Sequence, residues 1–409
     1  MANRLASTKH SGAVLDLILA QPALVAAVQE LEAPALHALI RHVGLEDCGE
    51  LVALATREQI TKVFDDDLWK SRAPGEDARF DVKRFALWLD VLVEQGARLA
   101  VEKFCELDED LLTLALSKLV FVIDIDRLAV RMANTVGPDG QEQAEHLEKL
   151  LESTLYHEFE RYRVIARDVD AFDSILTVML ELDNLDYETL VRLLERCADI
   201  SNEYIGDNGG LINVLSAGEV VEEDVAGERD DRRERAGFVS PSSAVAFLRL
   251  AKETALSELL GSDQLDPITQ AHFRRVETDV RPAQPRSQAH ERLLSVLQGG
   301  NVLTPKTRQL SRSASGTTLR RALALLREHD AAAHGERAVE LAYLANVLLA
   351  AQGMRPVEAA ERALELCERG AAHVLKQDDP GALAVVLRDT SLIKLFRVGF
   401  HLAVQPRQT

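Results

Sequence analysis

Apolar residues recur at helical spacing along almost the whole of this 409-residue chain. One stripe runs from Leu111 to Leu119, and another runs from Leu341 to Leu348. Residues three or four positions apart lie on one face of an α-helix, so each stripe predicts a helix with one apolar side. Such a helix must bury that side against a neighbour, and the pattern therefore predicts a mainly α fold.

The composition and the segments between the stripes support this prediction. Aromatic residues make up 5% of the chain, and good helix formers such as Leu, Ala, Glu and Arg predominate, which excludes an all-β fold. Asp108, Asp186 and the pair Ser240–Pro241 stand where helices should begin, because these residue types satisfy or avoid the unpaired amides of a first turn. The short connections favour antiparallel helical hairpins.

A weak internal repeat indicates how the hairpins are arranged. The segment from Phe104 to Asp108 resembles the segment from Met179 to Asp183, and in each case a second apolar stripe follows within a few residues. Hairpins that cannot bury their apolar faces alone stack on one another, so we expect stacked α-hairpin repeats in a superhelical, solenoid-like array. An irregular helical bundle is the alternative.

Two segments depart from the helical period. Residues 121–126 alternate in polarity, and residues 155–165 are rich in aromatic and β-branched side chains. A small strand pair is expected there, although 155–165 also fits a helix.

The charge is unevenly divided along the chain. Residues 1–240 contain 25 Lys and Arg against 48 Asp and Glu, a net charge of −23, whereas residues 241–409 carry a net charge of +4. The change in composition predicts these divisions: an acidic helical-repeat domain at 1–240, connecting helices at 241–280, a flexible basic linker rich in Ser, Pro and Gly at 281–318, and an Ala/Leu-rich helical domain at 319–409.

The sequence predicts a cytoplasmic location. A membrane-spanning helix needs about 20 apolar residues, and the longest stretch without Asp, Glu, Lys or Arg runs only from Leu341 to Met354. Asp16 interrupts the first apolar run, which argues against a secretory signal. The four cysteines are far apart and are expected to be reduced thiols.

Three stretches resemble a known family. They are the Leu-rich segment from Leu36 to Trp69, which ends Phe-Asp-Asp-Asp-Leu-Trp, the stretch from Glu234 to Pro241, and the closing stretch from Leu395 to Gly399. The first resembles the helical repeats of the cytoplasmic N-terminal domain of the bacterial magnesium transporter MgtE. All three resemble more closely a bacterial family of cytoplasmic proteins of unknown function that carries such repeats without the transporter. The resemblance implies a helical-repeat fold and no established activity.

Two acidic groups are candidate sites for a divalent cation. The chain contains no Gly-rich phosphate loop and no Gly-x-Ser-x-Gly motif, and no cofactor is expected. Asp65, Asp66 and Asp67 are adjacent carboxylates that a cation could offset, but the favoured interpretation is that they cap the start of a helix. The second candidates are His157, Glu158 and Glu160, which could instead be solvated side chains.

A basic stretch completes the candidate sites. From Arg274 to Arg327 there are 11 basic and 3 acidic side chains. Within it, we select four arginines as candidate partner-binding residues: Arg308, Arg312, Arg320 and Arg321. They could meet the acidic part of the chain or another molecule, or be solvated in the linker.

The sequence favours a scaffold or adaptor over an enzyme. Repeat architecture together with missing catalytic motifs predicts a cytoplasmic bacterial protein that acts through protein–protein interaction. One alternative is a metal-assisted hydrolase that uses the acidic residues at 157–160. The other is nucleic-acid binding through residues 274–327, against which the net charge of −19 argues.

Overall fold

A computed structural model describes residues 12–21, 23–134, 155–206, 217–276, 287–300, 302–303, 317–375 and 379–405. The chain forms two compact units, and each unit is assembled from several segments of the sequence. Unit 1 comprises Met1–Lys70, Phe80–Glu228 and Ala283–Leu303. Unit 2 comprises Ser71–Arg79, Arg229–Pro282 and Thr304–Thr409.

The described residues are mainly helical, which confirms the predicted fold class. In the first part of the chain the elements are α1 (12–19), α2 (Leu24–Gln29), α3 (Ala33–Val43), α4 (Gly49–Leu54), α5 (Arg57–Asp67), β1 (Trp69–Lys70), β2 (Arg79–Phe80), α6 (Val82–Glu94), α7 (Ala97–Cys105), α8 (Glu109–Leu119), β3 (Val120–Asp124), α9 (Ile125–Asn134), β4 (Tyr156–Phe159) and β5 (Tyr162–Ala166). The remaining elements are α10 (Val169–Leu185), α11 (Tyr187–Gly206), α12 (Ala217–Arg235), α13 (Pro241–Glu253), α14 (Leu256–Gly261), α15 (Pro267–Arg275), α16 (Gln288–Gly299), α17 (Thr318–His329), α18 (Ala331–Gln352), α19 (Pro356–Leu375), α20 (Pro380–Asp389) and α21 (Leu392–Val404).

The predicted helix starts are confirmed by their hydrogen bonds. The Asp108 carboxylate accepts from the amide of Asp110 at the start of α8, and the Ser240 hydroxyl accepts from the amide of Ser243 at the start of α13. Asp186 accepts in the same way at the start of α11. In unit 1, α10 packs against α7 and α11 packs against α8, so the two hairpins singled out by the internal repeat are stacked on each other.

The strand prediction is also confirmed, but the sheet has three strands where the sequence predicted a pair. Strands β3, β5 and β4 form a three-stranded antiparallel sheet in that order. Val164 of β5 lies opposite Val122 of β3 and His157 of β4. The segment 155–165 therefore contains a strand, a two-residue turn and most of a second strand. Strands β1 and β2 form a separate two-stranded sheet.

The predicted linker differs from the structure at one point. Helix α16 lies inside 281–318 and packs against α2, with Leu293 and Leu297 fully buried in unit 1. Pro and Gly at both ends of this segment suggested a linker, but Leu293, Val296 and Leu297 between them have the spacing of a helix face. Residues 304–316 lie outside the described residues, so the linker there stays a prediction.

Two glycines bring the last helices of unit 2 into close contact. A Cβ atom on Gly370 of α19 would lie 1.9 Å from the Leu395 carbonyl oxygen, and one on Gly399 of α21 would lie 1.9 Å from that of Leu366. Both distances are far below van der Waals contact, so these positions require glycine. Gly399 closes one of the three stretches on which the family resemblance rests.

None of the described helices is long and apolar enough to cross a membrane. The four cysteines are free thiols, as expected, with Cys48, Cys197 and Cys367 buried and Cys105 exposed.

Candidate functional site

The three adjacent aspartates do not begin a helix. Asp65, Asp66 and Asp67 are instead the last three residues of α5, so the interpretation as a helix-start cap is wrong. The residue that caps the next helix is Asp81, whose carboxylate accepts from the Arg84 amide at the start of α6. The segment that contains β1 and β2 separates α5 from α6. An acidic run alone does not indicate whether the helix lies before the run or after it.

Asp67 is tied to three protein groups. Its Oδ2 accepts hydrogen bonds from Arg84 Nε at 2.7 Å and from Trp88 Nε1 at 2.8 Å, and its Oδ1 lies 3.5 Å from His37 Nε2. Burial raises the pKa of Asp67, but the nearby His37 imidazole and the hydrogen bonds from Arg84 and Trp88 outweigh burial and hold the pKa well below its usual range. These contacts give Asp67 a structural role in joining α3, α5 and α6.

The second predicted group lies on the β4–β5 hairpin. Glu158 lies opposite Arg163 in the sheet, and Arg163 Nε donates to the Glu158 carboxylate at 3.0 Å. Glu160 is in the turn with a φ of 47°, and its carboxylate accepts a 2.6 Å hydrogen bond from the Tyr187 hydroxyl. The His157 ring packs edge-on against Phe159 with 4.7 Å between centroids.

These hairpin residues border a cleft in unit 1, which we call the hairpin groove. It has a volume of about 200 Å³ and lies between β4, the turn after it, and helices α10 and α11. The hairpin groove is lined by side chains that include His157, Phe159, Glu160, Leu180, Tyr187 and Leu194.

The geometry of both acidic groups bears on metal binding. Among the described residues, no three His, Cys, Asp or Glu side chains are grouped so that they could hold a metal ion. In the hairpin groove, Glu158 and Glu160 already bond to Arg163 and Tyr187. The side chains of His157, Glu158 and Glu160 thus lie in one cleft. The observed partners of the two glutamates are protein side chains.

The candidate arginines are only partly described. Arg320 is half-buried and Arg321 is exposed in the first turn of α17. Arg308 and Arg312 lie outside the described residues. Their role in partner binding stays a prediction.

A larger cavity in unit 2 was not predicted from the sequence. It has a volume of about 360 Å³ and is formed by residues 71–78, residues 229–241 and the end of α18 with Gly353. We call it the unit 2 cavity. Arg229 of α12 is only 8% exposed and lines this cavity. The sequence signal was the stretch from Glu234 to Pro241, which carried the family resemblance without indicating a cavity.

Two acidic residues of α12 face the unit 2 cavity, and each pairs with an arginine. Arg229 Nη1 donates to the Asp230 carboxylate at 2.9 Å, and Glu234 forms an ion pair with Arg275 of α15. Burial raises the pKa of Asp230, although Arg229 and Arg233 oppose the change.

Comparison with known proteins gives one result for the first part of the chain. Residues 4–200 match the model of DUF6178, a family of unknown function. The match covers just under half of the chain and includes the hairpin groove. A family of unknown function is consistent with the resemblance found in the sequence. The searches of curated proteins and of solved structures found no match.

Proposed function

We propose that this protein is a cytoplasmic helical-repeat adaptor, without catalytic activity, that binds an extended basic segment of a partner protein at the hairpin groove. The observation that carries the proposal is a sheet edge that no other described strand pairs with, beside a cleft that has apolar side chains and an acidic rim. We include in this proposal the resemblance to the helical repeats of MgtE, because stacked helical hairpins commonly present extended binding surfaces.

The sheet edge favours an extended ligand. Strand β4 lies at one end of the order β3-β5-β4, and the amide of Ala166 in β5 donates to the carbonyl of Leu155. Main-chain groups alternate in direction along an antiparallel strand, so those of Tyr156 and Glu158 point away from β5. A segment that pairs with this edge would add a fourth strand to the sheet.

The cleft beside the edge favours an apolar side chain on that segment. Leu180 and Tyr187 are 40% and 44% exposed at the hairpin groove, while Phe159 and Leu194 form its buried walls. Covering an exposed leucine and tyrosine stabilises a complex by removing apolar surface from water.

The rim of the groove favours a basic partner. Asp183 and Glu160 line the groove, and Asp186 and Glu188 are exposed where α10 passes into α11. Residues 1–240 carry a net charge of −23, so Lys and Arg side chains on the segment would be attracted to this surface.

The alternatives have less support. A hydrolase using Glu158 and Glu160 would have to release them from Arg163 and Tyr187 before they could hold a metal ion. Nucleic-acid binding through residues 274–327 would have to overcome the acidity of the rest of the chain.

Fluorescence anisotropy with labelled peptides tests the proposal. The probe alternates arginine and valine, and a matched peptide has glutamate in place of arginine. We expect the arginine peptide to bind with an affinity that falls as salt rises, and the glutamate peptide not to bind. Leu180→Asp should weaken binding about tenfold or more, because it removes an apolar contact of the hairpin groove.

Leu185→Asp is the matched control. Leu185 is 44% exposed on the same helix but does not line the groove, so the same change in charge should leave the affinity within about twofold. A photo-crosslinker placed at 180 or at 185 in the native host then identifies the partner. Equal effects of the two substitutions, or crosslinks to an acidic segment, would contradict the proposal.

A further inference from the structure

The hairpin groove carries more negative than positive charge. Among the described residues that line it, Glu158, Glu160 and Asp183 are acidic and none is Lys or Arg. The Glu158 carboxylate is paired with Arg163. Within the part of the chain that the structure describes, neither Glu160 nor Asp183 forms an ion pair. Two carboxylates of the groove are therefore available to a cation.

The arginine next to Glu160 in the sequence is engaged elsewhere. Arg161 follows Glu160 in the turn, but its Nη2 donates to the Tyr162 hydroxyl at 2.6 Å and its Nε lies 3.6 Å from the Asp124 carboxylate. Asp124 is only 1% exposed. Taking a positive partner away from a buried carboxylate is costly, so Arg161 is held at Asp124 and does not offset Glu160.

Tyr187 brings both carboxylates and an aromatic ring to one place. Its hydroxyl donates to the Glu160 carboxylate at 2.6 Å, and the residue is 44% exposed at the groove. The hydrogen bond to Glu160 is the largest cause that raises the pKa of Tyr187, and desolvation and the charges of Glu160 and Asp183 raise it further. Both carboxylates thus act on the space beside the Tyr187 ring, whose face also attracts a cation.

An arginine side chain suits these groups better than a lysine side chain. The planar guanidinium has five N–H donors, so it can donate to two carboxylates while its face lies against an aromatic ring. The lysine ammonium is a compact charge without a face that could stack. The aliphatic stem of an arginine would cover Leu180, which is 40% exposed at the groove.

The end of strand β4 determines where along the bound segment this arginine lies. Glu160 is in the turn that follows Phe159, the last residue of β4. A segment paired with β4 leaves the sheet at that point, so its side chains no longer have to alternate between the two faces of the sheet. A residue at that end of the segment can therefore turn toward Glu160.

We propose that the basic segment bound at the hairpin groove places one arginine at the turn end of the groove. Its guanidinium donates to Glu160 and Asp183 and stacks on the Tyr187 ring. This inference rests on the proposed adaptor function and adds which basic residue the partner has at this position.

Competition against the labelled arginine–valine peptide tests the inference. The competitors are unlabelled peptides of alternating serine and valine with one arginine at either end, because a segment can pair with β4 in either direction. Citrulline in place of the arginine keeps nearly the same shape without the charge and should weaken the better competitor at least about tenfold. Lysine in its place should weaken it about threefold or more. The titrations are run at pH 8, above the ordinary pKa of an imidazole, because His157 also lines the groove.

Two variants locate the arginine. Glu160→Gln and Asp183→Asn each remove one carboxylate charge, so each should weaken the arginine peptide about tenfold and leave the citrulline peptide within about twofold. Asp173→Asn is the matched control, which should leave both peptides within about twofold. Asp173 is exposed on the same helix as Asp183, lies about ten residues or about 15 Å before it, and does not line the groove.

A third variant separates binding from folding. Glu160 has a φ of 47°, a conformation that glycine adopts more readily than glutamate. Glu160→Gly should therefore not lower the melting temperature, yet it should weaken the arginine peptide at least as much as Glu160→Gln does.

The outcomes distinguish this inference from the adaptor proposal. If the labelled peptide does not bind, the adaptor proposal fails and the inference fails with it. The inference alone is overturned if the labelled peptide binds but the arginine peptide competes no better than the lysine or citrulline peptide. It is also overturned if Glu160→Gln and Asp183→Asn leave the preference for arginine unchanged.

Discussion

At the scale of single residues, Asp67 shows how one half-buried carboxylate can join three helices. Its side chain is 13% exposed and receives hydrogen bonds from Arg84 and Trp88, while His37 lies on its other side. Each of these donors would lose a charged acceptor if the carboxylate were neutralised. Hydrogen bonds to a charged group contribute about 1.5–3 kcal/mol each, so the effect should be measurable.

We predict that Asp67→Asn lowers the free energy of unfolding at pH 7 by about 1–3 kcal/mol. The pKa of Asp67 is lower in the folded than in the unfolded protein, so its stabilisation is complete above the ordinary value of about 4 and is lost as the pH falls below it. Denaturant unfolding between pH 2 and pH 7 should therefore show a shallower acid decline for Asp67→Asn than for the parent. Parallel curves for Asp67→Asn and the parent would rule out this role.

The aspartates also show why sequence reasoning fails at single residues. Adjacent carboxylates are compatible with a helix start, a metal site, or a helix end whose negative charge is stabilised by side chains from another element. The Asp67 carboxylate accepts hydrogen bonds from Trp88 and Arg84, which are 21 and 17 residues further along the chain. No local pattern specifies those partners, because they meet only after α5 and α6 have packed.

At the scale of elements, the crossing of α19 and α21 depends on the absence of two side chains. Gly370 and Gly399 allow each helix to approach a main-chain carbonyl of the other. A methyl group at either position can be accommodated only if the helices separate, since backbone cannot move aside as a flexible side chain can. Separation would loosen the surrounding core, including the fully buried Phe396.

We predict that Gly399→Ala destabilises unit 2 by at least about 2 kcal/mol. Gly335→Ala is the control, because Gly335 is also helical but a Cβ there meets nothing within 4 Å. That substitution should stabilise the protein by about 0.5–1 kcal/mol, since alanine favours the helix. Differential scanning calorimetry should thus show shifts of opposite sign, and two shifts of the same sign would refute the close-contact explanation.

Local patterns predicted many of the elements. The caps at Asp108 and Ser240 and the strands near 121–126 follow from neighbouring residues, and the structure confirms them. Helix α16 was missed because the Pro and Gly residues around it were given more weight than the spacing of Leu293 and Leu297. Its stability comes from burial against α2, which is a contact across more than 250 residues.

At the scale of the whole molecule, neither unit is a continuous piece of sequence. Unit 1 takes α16 from after residue 282, and unit 2 takes residues 71–79 from within the first part of the chain. The unit 2 cavity is built from such separated segments, so periodicity and composition could not predict it. Part of the hairpin groove was predicted from the sequence, because His157, Glu158 and Glu160 are close together in the sequence as well as in the fold.

We predict that a fragment of residues 1–240, the domain expected from the sequence, is less stable than unit 1 of the full chain. The fragment lacks α16, whose Leu293 and Leu297 are fully buried and whose N-terminal Ser287 donates to Glu30 at 2.7 Å. Losing two buried leucines should cost about 3 kcal/mol or more. A peptide of residues 283–303 should restore the melting temperature of the fragment, and the same peptide with Leu293→Asp and Leu297→Asp should not. If the fragment alone melts with the full chain's unit 1, or if both peptides act alike, then α16 is not an integral part of unit 1.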